Sequence, residues 1–102
     1  MTAPNWPFDQ APDVAAVTTS AVLAGAPILL VVHYSEDHSW AFLDGSLFDI
    51  SAGRMISMQE ALRLDFSLRD IADLQPGWSA RRANRNSAWH RDIDPVASTT
   101  EA

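Results

Sequence analysis

The sequence predicts an α+β domain: a small, mainly antiparallel β-sheet with one or two short helices packed on one face. Three observations predict it. Ile28 to Tyr34 (ILLVVHY) is apolar on both alternating sides, as in a strand covered on both faces. Trp40 to Leu43 places Trp40 and Phe42 on one side of a second strand, and Asp44-Gly45 after it is a two-residue turn signal. Ser57-Met58-Gln59-Glu60 is a capping box ahead of a short helix. Strands thus come first and helices later, which favours α+β over alternating βαβ units.

Taken in order, residues 1–13 read as an arm, because Pro4, Pro7 and Pro12 block regular pairing. Trp6 and Phe8 within it are large aromatics that should dock on the body. Val14 to Thr18 reads as a short strand. Thr19 to Gly25 reads as a helical turn started by Thr19 or Ser20, in preference to a continued strand with a bend at Gly25, and Ala26-Pro27 leads into the apolar strand. Ser35 to His38 is a turn. After Asp44-Gly45, Ser46 to Ile50 should return as the second arm of a hairpin, and Met55-Ile56 should be extended. The capping box predicts a helix over about 58–64. Asp65 or Ser67 caps a second helix, whose Leu68, Ile71, Ala72 and Leu74 share one face. Pro76-Gly77 ends it. Trp78 to Ala83 reads as the last strand, with Trp89 beyond it as an anchor. Residues 92–102 are small and polar and read as a disordered tail. The domain proper is therefore expected over 14–91.

A chain of 102 residues, 47% hydrophobic, suits one globular domain. It has no cysteine, which points to a reducing, cytoplasmic setting and removes thiol chemistry. The N-terminus lacks the basic region of a signal peptide. The longest apolar run, Ala21 to Val32, is broken by Gly25 and Pro27 and is too short to span a bilayer. Net charge is −6, and all seven bases are arginine. Residues 1–53 carry six acids and no base; residues 81–91 carry Arg81, Arg82, Arg85 and Arg91 and no acid. An overall negative field opposes binding to nucleic acid or anionic membranes and suits a basic protein partner.

No motif forces a reaction. His33, Glu36, Asp37 and His38 form the densest polar cluster, and both residue types ligate metals. Their spacing matches no helical zinc signature, and a charged hairpin turn accounts for them, so no metal is expected. The four glycines fit neither a dinucleotide fingerprint nor a phosphate loop, and no cofactor is expected. No nucleophile-elbow pattern surrounds Thr18, Thr19 or Ser20, so no catalytic residue is assigned. Two site sets remain. Asp37, Asp44 and Asp49 are candidate contacts for a basic partner, provided they form one patch. His33, Tyr34 and Trp40 could line a pocket between sheet and helices, with Arg81 or Arg82 fixing an anion. The plainer expectation for the arginines is pairing with the domain's own acids, while the tryptophans pack the core. Four tryptophans are generous for so small a core, which leaves a homodimer open.

Two stretches carry a resemblance. VTTSAVLAGAPILLVVHYSEDHSWAFLDG and LDFSLRDIADLQPGWSARR are similar to segments of small bacterial proteins in toxin-immunity-like families of unknown function. The shared features are structural: Trp40, Phe42, Gly45, Pro76, Gly77 and Trp78. The resemblance implies a non-enzymatic domain that acts by binding a protein, and it carries no catalytic residue across.

Overall fold

Thr19 closes one strand and opens a helix, because its extended backbone leaves its hydroxyl free to accept from the Val22 amide at 3.2 Å. A computed structural model of the chain describes residues 6–46 and 50–98. Strand β1 (Ala15–Thr19) runs into the one-turn helix α1 (Ser20–Leu23). Strands β2 (Leu30–His33) and β3 (Trp40–Leu43) form a hairpin around residues 34–39. A 3-10 turn (Ile50–Ala52) precedes β4 (Gly53–Ser57), which leads directly into helix α2 (Met58–Leu64). Ser57 caps α2 by accepting from the Glu60 amide at 3.0 Å, as the capping box predicts. Strands β5 (Trp78–Arg81) and β6 (His90–Ile93) complete a six-stranded sheet in the order β4-β1-β3-β2-β5-β6.

The sheet is mostly antiparallel, and the expected α+β class holds. Among the described residues the pairing of β1 with β3 is the parallel one, with Val17 opposite Ala41. That pairing corrects the hairpin expected after β3. Both edges of β3 are occupied, by β1 and β2, so a returning strand has no edge to join. Asp44 and Gly45 do turn the chain. Gly45 has φ +86°, and Asp44 Oδ1 accepts from the Ser46 amide and hydroxyl at 3.3 and 2.8 Å. Ser46 is a bend and Ile50 begins a 3-10 turn, while residues 47–49 lie outside the described residues. Among the described residues the chain next pairs at β4, on the far side of β1.

The segment expected as a second α-helix is a 3-10 run, Phe66–Ile71, capped by Asp65 through the Ser67 amide at 3.0 Å. Three residues per turn still eclipse Leu68 and Ile71, so both are buried as the spacing requires. The tail expected from residue 92 is also revised. Asp92 and Ile93 end β6, which pairs antiparallel with β5. Beyond it, Asp94 Oδ1 accepts from the amides of Val96 and Ala97, and Ala97 is buried. Its carbonyl accepts from the Ser35 amide at 3.0 Å, fastening residues 94–98 to the β2–β3 turn. A short polar strand with all four residues exposed carries no apolar alternation, so the sequence hides it.

Period-two alternation gives the sheet two unlike faces. The first buries Ala16, Val31, Trp40, Phe42 and Ala80 against Met58 and Ala61 of α2 and against Leu68, Ile71 and Leu74. The arm joins this core: the Phe8 ring meets Trp40 edge-on at 5.1 Å. The second face carries Val17, Leu30, Val32, Ala41, Leu43 and Tyr34, with Ala97 packed on them. Among the described residues no helix is long and apolar enough to cross a membrane.

Candidate functional site

The pocket expected from His33, Tyr34, Trp40, Arg81 and Arg82 is divided by the sheet. His33 and Trp40 pair across β2 and β3 on the covered face, their rings stacked at 3.9 Å and 16°. Tyr34, one residue on, packs on the other face with Val32 and Ala97. Arg81 pairs with Leu30 at the opposite end of β2 from His33 and is exposed. Arg82 turns inward at that same far end. Its Nε and Nη2 donate to the Ile28 carbonyl, its Nη1 to Ser67 Oγ and the Arg85 carbonyl, and its Nη2 also to Asp65. Trp89 lies under the guanidinium at 4.1 Å. The structure therefore brings His33 and Trp40 together and leaves Tyr34, Arg81 and Arg82 apart from them. Two clefts, of about 330 and about 420 Å³, lie toward Asp65, Arg85 and Trp89, and neither reaches His33.

The expected acidic set is divided as well. Asp37 sits in the β2–β3 turn, where hydrogen bonds from the Ser39 hydroxyl and amide hold its carboxyl below the usual carboxylate range. Asp44 lies at the other end of β3, and Asp49 lies outside the described residues. Four strand residues separate Asp37's end from Asp44's, roughly 13 Å of backbone. Asp37 instead has a neighbour the sequence did not reveal. Burial first, then the charges of Asp94 and Asp37, push the Tyr34 phenol above its ordinary value. The charges of Asp94 and Asp37 are thus both felt at Tyr34, which packs on the second face. Asp92 joins that face, because it pairs with Ser79 and through it lines up with Val32.

That second face is apolar and only partly covered. Val17, Leu30 and Leu43 are half-buried, and Met55, which pairs with Val17, is 66% exposed. The cluster on it draws its described members from the sheet, Tyr34 and Ala97 alone.

On the covered face, the arm and the β2–β3 turn assemble a polar cluster around His33. Asp9 Oδ2 lies 3.1 Å from His33 Nε2 and 3.8 Å from His38 Nδ1. Asp9 Oδ1 accepts from the Trp40 indole at 2.9 Å. His33 Nδ1 lies 2.7 Å from the Leu74 carbonyl, an acceptor, so that nitrogen carries the proton. His38 holds φ +60°, and its carbonyl accepts from the Gln10 side chain at 3.0 Å. One ligating atom from each of Asp9, His33 and His38 falls within 4.8 Å of the others. The two histidines were visible in sequence. Asp9 was not, because only docking of the arm brings it there; Glu36 and Asp37, the acids nearest in sequence, do not belong to this group.

The chain matches no protein-family model, no curated protein and no solved structure.

Proposed function

We propose that this chain is a non-enzymatic protein-binding domain that docks a basic partner on the second face of its sheet. The observation that carries the reading is the asymmetry of that sheet. One face is packed by the helices and the arm, whereas the other presents Val17, Leu30, Leu43 and Met55 beside a carboxylate group at Tyr34. Apolar surface bordered by like charges suits a partner that supplies apolar side chains and cations together. The net charge of −6 speeds encounter with such a partner and repels acidic ones. The resemblance to immunity-like families supports the same class of function.

The test is amide hydrogen exchange on the chain saturated with a basic protein captured from lysate and purified. Protection should fall on β1, β2 and β3, and Leu43→Arg should weaken the complex by about tenfold or more, as expected where a central apolar contact is lost. Protection confined to the Arg85–Trp89 cleft would overturn the assignment. Dimerisation in sedimentation that Leu43→Arg abolishes would give the face to a second copy of the chain instead.

A further inference from the structure

We infer that Asp9, His33 and His38 bind one divalent transition-metal ion, with Zn²⁺ the best match. The inference stands apart from the docking face and begins with His33. Its side chain is 2% exposed, and its Nε2 is buried without a hydrogen-bond partner among the described residues. Nδ1 already donates to the Leu74 carbonyl, so Nε2 of the neutral ring presents a lone pair. The atom it faces at 3.1 Å is Asp9 Oδ2, a second lone-pair donor. Two lone pairs held this close, one of them on a buried nitrogen, call for a positive centre between them, a proton or a metal ion.

A proton would satisfy that pair alone, but three further features fit a metal better. The first is a third ligand: His38 Nδ1 approaches the same carboxylate oxygen at 3.8 Å, and a proton shared by two groups has no use for it. The second is backbone cost. His38 is the described non-glycine residue with positive φ, a conformation that such residues adopt sparingly and that recurs at ligand clamps. The third is the set of outer contacts. A metal-bound histidine ordinarily donates its other nitrogen to a carbonyl or carboxylate, and a ligating carboxylate is itself hydrogen-bonded. His33 does the former through Leu74, and Asp9 does the latter through Trp40.

The distances suit a tetrahedral ion. Metal–ligand bonds of about 2.0–2.2 Å place ligand atoms roughly 3.3–3.5 Å apart, between the two separations seen here. Two imidazole nitrogens and one carboxylate oxygen select zinc-like ions over Ca²⁺ or Mg²⁺, which prefer all-oxygen sets. Asp9 and His38 are 40% and 54% exposed, so the remaining position opens to solvent. The ligands come from three places: the N-terminal arm, the end of β2 and the β2–β3 turn. A bound ion would join them and hold the arm on the core.

The experiment uses the full chain freed of metal with a chelator. Calorimetric titration with Zn²⁺ should give one ion per chain, Co²⁺ should give the visible absorption of a tetrahedral site, and Zn²⁺ should raise the melting temperature. His38→Ala, at an exposed turn, should weaken binding by about tenfold or more while lowering the metal-free melt only slightly, by the cost of alanine at positive φ. His90→Ala should leave binding intact. Absence of heat, absorption and melting shift with both ions would overturn the inference. So would binding that survives His38→Ala, or an imidazole of His33 that carries protons on both nitrogens in the Zn²⁺-saturated chain.

Discussion

Arg82 and His33 are both polar side chains only 2% exposed, and they sit near opposite ends of β2. Their surroundings differ in one respect. The Arg82 guanidinium has five N–H groups, and the structure gives it five hydrogen bonds, one of them an ion pair with Asp65, and a tryptophan ring beneath. His33 has two nitrogens and satisfies one. Burial of a polar group therefore does not by itself mark function. A fully satisfied group is a strut that ties the 3-10 run, the loop before β2 and the segment after β5 together. A half-satisfied one is held ready for something else, because leaving a buried polar atom unmade costs about 1–3 kcal/mol.

The largest expected effect is at the strut. Arg82→Ala leaves Asp65 and the Ile28 carbonyl without their cation, and breaking a buried pair from one side costs about 3–5 kcal/mol. For a domain of this size each kcal/mol lowers the melting temperature by about 4–8 °C. Thermal melting should therefore show a loss well above 10 °C. A loss of only one or two degrees would mean that Arg82 is not a strut, and the comparison with His33 would collapse.

The strut was more legible in sequence than the cluster, for a physical reason. The sequence leads one to expect Arg81 or Arg82 to pair with the domain's own acids and the tryptophans to pack the interior; the cap at Asp65 is written locally, although its pairing with Arg82 spans 17 residues. The caps at Thr19 and Ser57, the strand at Trp40–Leu43 and the helix at 58–64 were legible likewise, each being written in a few adjacent residues. What the sequence concealed depends on distant chain. The parallel seam of β1 with β3 decides where the segment after Gly45 can pair. Strand β6 is all exposed and has no apolar rhythm. Asp9 reaches His33 only because Trp6 and Phe8 seat the arm on Trp40. The same alternation that made ILLVVHY legible as a strand also sends His33 and Tyr34 to opposite faces, which is why they could not line one pocket.

A milder substitution sharpens the comparison at His33. Asp9→Asn keeps an oxygen for the Trp40 indole and gives a side-chain N–H that can donate to the His33 Nε2 lone pair. Without metal, this variant should melt at the same temperature as the parent or higher, with a gain of up to about 1 kcal/mol for the new hydrogen bond. Zn²⁺ should no longer raise its melting temperature. Asp9→Ala, which strips the indole of its acceptor, should melt lower. A marked destabilisation by Asp9→Asn would show that a proton already links the two groups and that His33 is as fully satisfied as Arg82.

The smallest effect concerns Tyr34, the neighbour of His33 that points the other way. Burial and the charges of Asp94 and Asp37 raise its phenol above 10.0, and the raised value belongs to the folded state. The folded chain thus retains this proton where the unfolded chain loses it. The associated stability is complete below the unfolded value of about 10 and is lost as pH climbs through the folded one. Since the chain has a single tyrosine, absorbance at the tyrosinate band reads this site directly. Asp94→Asn should lower the midpoint only part of the way toward the ordinary value, because burial is the leading cause and remains. A basic partner seated on the face should have a competing effect, its cations lowering the midpoint while its apolar contacts raise it, so that added salt shifts the balance upward. A midpoint that Asp94→Asn leaves unmoved would remove that carboxylate's influence from Tyr34, and with it the argument that the second face selects its partner by charge.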